Sequence, residues 1–228
     1  MQRRLVLSSV VAGSAWSMVP WARAAVGFTS SEGTQALRTA LEKGAQVAVS
    51  ELGRVDGFLG NDKVRIPLPS VLEDAAPLLK TLGRGRQLEE LQTTMNRAAE
   101  QAVPLALPLL RSAIKSMSVT DAQRILSGGD TSVTEFFSGK TREPLGVQFL
   151  PIVSKATERL SLTKRYNELA GKAAGMGLIK GDQANVQQYV TGKALDGLFY
   201  MIGEQEKKIR QDPVGTGSAI LKKVFGSL

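Results

Sequence analysis

The spacing of apolar residues limits how this chain can fold more than any other feature. From residue 31 onward, apolar residues recur at three- and four-residue steps, which is the spacing of one face of an α-helix. Nowhere do β-branched residues alternate with polar ones over the roughly four to eight residues that a strand needs. The sequence therefore predicts an all-α protein, with a single domain of about eight to ten helices over residues 31–228 and no significant sheet.

Several helices can be placed from these apolar stripes. They are expected over residues 31–52, 75–82, 144–160, 162–175 and 219–225. The helix 162–175 is marked by Leu162, Tyr166, Leu169 and Ala173. Pro104 and Pro108 should break the rod that precedes them, because an interior proline loses a backbone hydrogen bond.

Helix starts can also be predicted from capping residues. Ser118 with Asp121, and Ser132 with Glu135, resemble capping boxes, in which two side chains satisfy the first N–H groups of a helix. Asp182 should open the last long helix. These signals are local and identify no partner elsewhere in the chain.

The first 24 residues have the layout of a secretory signal peptide. Arg3 and Arg4 precede an apolar run that is too short for a transmembrane helix, and small residues at positions 22 and 24 precede Ala25. We expect cleavage after Ala24, a lead-in over residues 25–30 and a periplasmic or secreted mature protein. The mass of the exported product tests this cleavage. A product that keeps residues 1–24 in the membrane fraction would show an anchor instead.

Composition excludes several chemistries. The chain has no cysteine and no histidine, so thiol nucleophiles, a Ser-His-Asp triad and the usual zinc sites are absent. The formal charge is +8, and removal of residues 1–24 would leave 26 cationic and 21 anionic side chains, or +5. This excess favours anionic surfaces in general. We expect no metal, no cofactor and no nucleic-acid partner.

Residues 53–69, GRVDGFLGNDKVRIPLP, cannot simply continue a helix. Glycine, proline and an Asp-Gly pair favour an irregular backbone there. Asp56 and Gly57 should form a tight turn, and Phe58 should enter the core. Asp56, Asn61 and Asp62 lack the alternating oxygen ligands of a calcium loop, so a turn is the better interpretation.

Two groups of polar residues are candidates for a ligand site. Asn96, Arg97 and Glu100 lie beside the apolar stripe of one helix, and Arg65 lies in the irregular segment. Either they line a polar pocket or they fasten residues 53–69 to that helix through ion pairs and hydrogen bonds. We expect the two segments to meet in both cases.

The second candidate group is Lys193 and Asp196, which lie one helical turn apart in KALDGLF. The neighbouring Gly197 costs helix stability, which indicates close packing or a ligand at this position. No catalytic residue can be assigned, although an acid or base role for Glu100 or Asp196 remains an alternative.

Four motifs together carry a family resemblance. LGRVDGFLGNDKVRIPLP, MNRAAEQAVP, ILSGGD and KALDGLFYMIGEQEKKIR occur in this order. Over residues 32–226 the chain resembles a bacterial family of exported helical proteins that is defined as a domain of unknown function. The resemblance implies an α-helical periplasmic domain and supplies no catalytic residue.

Two functional hypotheses follow. The first is a non-enzymatic periplasmic binding protein for a lipid or another amphipathic ligand, held between apolar helix faces. The second is an interaction module that docks on an envelope protein or an anionic cell-wall polymer through its basic faces. Sensitivity to salt separates them, because exposed charge contacts are screened and a buried alkyl chain is not.

Overall fold

The computed structural model describes residues 30–178 and 181–212, and within these ranges the chain forms α-helices, two short 3-10 turns and no strand. The all-α prediction is confirmed. The helices are α1 (Ser30–Gly53), α2 (Ser70–Thr81), α3 (Gly85–Ala102), α4 (Ala106–Lys115), α5 (Val119–Ser127), α6 (Ser132–Thr157), α7 (Ser161–Gly175) and α8 (Val186–Gln211). The expected signal peptide and the helix 219–225 lie outside the described residues.

The two longest helices, α6 and α8, form the centre of the fold. They pack along each other, α1 packs on α8 and α4, and α3 packs on α6. The apolar stripes of α1, α3 and α8 are buried in one continuous core. Among the described helices, none is both long enough and apolar enough to cross a bilayer.

Several prolines lie inside continuous helices. They are Pro77, Pro144 and Pro151, and all three are exposed. Water can therefore hydrate the carbonyl groups that lose an N–H partner. As a result the helix start near residue 132 and the helix 144–160 merge into α6. Pro104 does end the preceding rod, in the 3-10 turn Val103–Leu105, whereas Pro108 lies in the first turn of α4 and does not break it.

Helix starts agree with the sequence in one case and differ in two. Ser118 and Asp121 form a capping box, and the hydrogen bonds from Ser118 lower the pKa of Asp121. Ser132 does not cap α6, because α6 begins at Ser132 itself. The last long helix begins at Val186 and is capped by Asn185, so the prediction for Asp182 was wrong.

Gly53 still belongs to α1, and residues 54–69 are irregular and pack against α8. Asp56 has a φ of 63°, a left-handed conformation that Asp tolerates better than most residues. Phe58 is fully buried. A Cβ atom added at Gly197 would lie 2.7 Å from Cε1 of Phe58 and 3.4 Å from Cβ of Val64. Gly197 is therefore required for the close approach of this segment. Of the two explanations for a glycine in the middle of this helix, close packing or a ligand, the structure supports close packing.

Candidate functional site

Glu100 fastens the irregular segment to α3. Its side chain is buried, and its Oε1 accepts hydrogen bonds from the backbone N–H groups of Phe58 at 3.1 Å and Leu59 at 3.2 Å. The Oε2 atom accepts a hydrogen bond of 2.7 Å from Arg97. Both oxygens are thus occupied by structural donors, which leaves this carboxylate poorly suited to acid–base chemistry.

Asn96 makes the second attachment. Its Oδ1 accepts from the N–H of Ile66 at 2.8 Å, and its Nδ2 donates to the carbonyl oxygen of Ile66 at 2.9 Å. The same Nδ2 donates to the carbonyl of Gln92 at 2.8 Å. A fully buried amide therefore pairs with both polar groups of one backbone residue, in the manner of a strand partner.

Arg97 connects Glu100 of α3 with Asp56 of the irregular segment. It donates to Glu100 and, at 2.8 Å, to Oδ1 of Asp56. The hydrogen bonds to Glu100 and then to Asp56 raise the pKa of Arg97. We call Asn96, Arg97 and Glu100 the clamp, because together they hold residues 56–66 on α3.

The clamp matches one of the two interpretations of these residues, in which they fasten the irregular segment to the helix and do not line a polar pocket. The irregular segment and α3 meet, and Arg97 pairs with both Glu100 and Asp56. Arg65 takes no part, because its side chain is exposed and makes no hydrogen bond or ion pair with any described residue. Since the polar atoms of the clamp already have partners within the protein, a ligand site must be sought elsewhere.

A groove of about 590 Å³ lies between the N-terminal half of α6 and the C-terminal half of α8. Phe199 is apolar and mostly buried, and Gly203 lets α8 approach α6, since a Cβ atom there would lie 3.1 Å from the hydroxyl oxygen of Thr134. Gly139 faces open space. Thr134, Ser138 and Tyr200 add hydroxyl groups to the lining. We call this the α6–α8 groove. Its volume lies within the range of small-molecule sites, roughly 300 to 1,000 Å³.

Asp196, a candidate from the sequence, lines the α6–α8 groove. It accepts a hydrogen bond of 2.6 Å from Arg142 of α6, whose guanidinium carbon lies 5.8 Å from the centre of the Phe199 ring. Lys193 is 3.9 Å from Asp196 and 6.0 Å from the ring centre of Tyr189. Among the described residues, no hydrogen bond or ion pair joins this group to the clamp, so the candidate residues form two separate sets.

A second set of ion pairs contributes to the groove lining. Glu204 lies 3.2 Å from Nζ of Lys207 and 3.5 Å from Nζ of Lys63, which comes from the irregular segment. The hydrogen bond from Lys207 lowers the pKa of Glu204, and electrostatic interactions with Tyr200 and then with Glu204 raise the pKa of Lys63. The irregular segment therefore reaches the edge of the groove through one lysine.

The lining as a whole is acidic. It contains four carboxylates, those of Asp130, Glu135, Asp196 and Glu204, and the two cations Arg142 and Lys207. Asp130 and Glu135 make no ion pair with any described residue, although Glu135 accepts a hydrogen bond of 2.9 Å from Thr131. These two carboxylates are available to a cationic group. This acidic lining contrasts with the basic chain around it.

Sequence reasoning missed a second buried carboxylate, Glu206 of α8. It accepts hydrogen bonds of 3.1 to 3.2 Å from the backbone N–H groups of Val133 and Thr134 at the start of α6. Arg210, one turn further along α8, donates to it at 2.9 Å. The side chain of Arg210 is largely buried. The only local signal was the Glu206–Arg210 spacing, and nothing in it indicated α6.

The apolar interior leaves little space for a ligand where α1, α6 and α8 meet. A void of about 10 Å³ lies beside Gln205, whose Nε2 has no hydrogen-bond partner in the described part of the chain. This volume admits one water molecule at most. No group of three acidic, histidine or cysteine residues that could hold a metal ion occurs among residues 30–178 and 181–212.

Comparisons with known proteins give one match. A family model described as a protein of unknown function, DUF4197, matches residues 27–226. No curated protein and no solved structure matches the chain.

Proposed function

The chain belongs to the DUF4197 family, and from its α6–α8 groove we propose that it is a non-enzymatic binding protein of the cell envelope for an amphipathic ligand with an ammonium group. The observation that carries the proposal is the acidic groove with an apolar side chain in its lining. Export stays a prediction, because residues 1–29 lie outside the described part of the chain.

The ligand class follows from the lining. Phe199 offers an apolar surface to an alkyl chain or a ring, and the hydroxyl groups of Thr134 and Ser138 offer hydrogen bonds. Asp130 and Glu135 attract a cation, which lipid headgroups such as ethanolamine and choline carry. The groove is open, so it suits part of an amphipathic molecule and not a fully enclosed alkyl chain.

Two probes of equal chain length test the charge preference. Below their micelle-forming concentrations, decyltrimethylammonium should bind the purified protein more tightly than decyl sulfate in calorimetric titration. Replacing both Asp130 by Asn and Glu135 by Gln should remove this preference, because it removes the two carboxylates that lack an ion pair. Equal binding of both probes to the wild-type protein would contradict the proposal.

A glycine allows the groove to be blocked without disturbing the core. A Cβ atom at Gly139 would meet nothing within 4 Å, so Gly139→Leu should fill the groove and also raise helix stability by up to about 1 kcal/mol. Gly171→Leu on α7 is the matched control, since Gly171 is also helical with open space around it. We expect Gly139→Leu to lose alkylammonium binding and Gly171→Leu to keep it.

One observation favours the second function, docking on an anionic polymer. Lys155 near the end of α6 and Arg159 just after it line a depression of about 510 Å³ with Gln101 of α3. Binding to such a polymer would fall steeply with salt. It would also persist in Gly139→Leu, which distinguishes it from ligand binding in the groove.

A further inference from the structure

The solvent-facing side of α7 departs from the expected pattern. Leu169, which marked this helix in the sequence, is 70% exposed, and Met176 just after the helix is 67% exposed. The buried side of α7 consists of Thr163, Tyr166 and Ala170. Single exposed apolar residues are common in soluble proteins. Two large ones on the same side of one helix are a more specific feature.

Cationic side chains alternate with these apolar ones. Arg165, Leu169, Lys172 and Met176 fall at steps of three and four residues, within about 60° of the helix circumference at 100° per residue. Lys164 lies beside them, and Leu178, which follows the helix, is 71% exposed. We call these six residues the α7 face.

The charge of the α7 face is unbalanced. Lys164, Arg165 and Lys172 are exposed and make no ion pair with any described residue. The one acidic residue of α7 is Glu168, which lies between Lys164 and Lys172 on the helix circumference, so three cations face a single anion there. Alternation of cations with exposed leucine and methionine is typical of helices that lie in the surface of an anionic bilayer.

We infer that the α7 face docks on an anionic membrane surface. The three cations contact lipid phosphates, and Leu169, Met176 and Leu178 enter the boundary between headgroups and acyl chains. The charge complementarity identifies the partner, since a soluble anionic polymer would satisfy the cations but would leave the apolar side chains in water. This inference does not depend on the α6–α8 groove.

Vesicle sedimentation of the purified protein tests the inference. Wild-type protein should bind vesicles of phosphatidylglycerol and phosphatidylcholine and should remain unbound with phosphatidylcholine alone. Replacing Arg165 and Lys172 by Gln should weaken binding about thirtyfold, because each cation near such a surface contributes about fivefold. Replacing Leu169 and Met176 by Gln should weaken it about tenfold or more.

Two control variants locate the effect. Val147→Gln removes a comparably exposed apolar residue from α6, and Gly139→Leu blocks the groove; both should bind vesicles like the wild type. The inference would be overturned if the charge variant lost binding while the apolar variant bound fully. That result would show that charge alone holds the protein on the anionic lipid. Equal binding to both kinds of vesicle, or binding to neither, would also overturn the inference.

Discussion

The Glu100→Ala variant should lose about 2 to 4 kcal/mol of unfolding free energy, because it leaves two backbone N–H groups without an acceptor, and each such loss costs about 1 to 3 kcal/mol. The N–H groups of Phe58 and Leu59 would lose their acceptor, and Arg97 would lose its buried partner. Domains of this kind are stable by only about 5 to 15 kcal/mol. The variant should therefore lose a large fraction of its stability, as measured by urea denaturation.

A graded series makes this prediction specific. Glu100→Gln keeps an oxygen that can accept from the two N–H groups and should lose less, about 1 to 3 kcal/mol. Asp56→Asn keeps a residue that tolerates the left-handed backbone, and because Asp56 is 58% exposed the loss should stay within about 1 kcal/mol. Glu90→Ala, an exposed position on the same helix, is the control. Equal stability of Glu100→Ala and Glu90→Ala would contradict the role of the clamp.

Glu206→Ala should have an effect of similar size, about 3 to 5 kcal/mol, at the start of α6. Glu206 supplies from α8 the acceptor that the first turn of α6 needs, and a carboxylate there is further stabilised by the positive end of the helix. Its removal leaves the N–H groups of Val133 and Thr134 and the cation of Arg210 without this partner.

Hydrogen exchange separates this effect from a general loss of stability. In Glu206→Gln, the amides of the first turn of α6 should exchange faster while those in the middle of α6 change less. Glu143→Ala, an exposed change on α6, should leave both unchanged. Unchanged stability and exchange in Glu206→Ala would show that α6 does not depend on this cap.

Local sequence patterns predicted most of the helices. They also predicted that the irregular segment contacts α3. The stripes of α1, α3 and α8 were correct because a periodic apolar face has to be buried wherever its partner lies. The contact between Arg97 and Asp56 was predictable because charges beside a core need partners. Gly197 was also informative, since an unfavourable glycine in a helix indicates a close neighbour.

The remaining features depend on residues far apart in the chain. Glu206 lies 73 residues from Val133, so no local signal could connect it to the start of α6. The exposure of Pro144 and Pro151 decides whether they break α6, and exposure is a property of the packed molecule. The groove likewise arises only when α6 and α8 lie side by side. Leu169 fits a helical apolar stripe, yet α7 turns that position toward solvent.

Hydrogen–deuterium exchange with and without decyltrimethylammonium is the most direct test of where this protein binds a ligand. If the α6–α8 groove is the site, the ligand should slow exchange in residues 130–142 and 196–207 and leave the clamp unchanged. The Gly139→Leu variant should show no such protection. Slower exchange in residues 56–66 and 96–100, with the groove unchanged, would contradict the account, because it would make the clamp the ligand site and not a structural fastening.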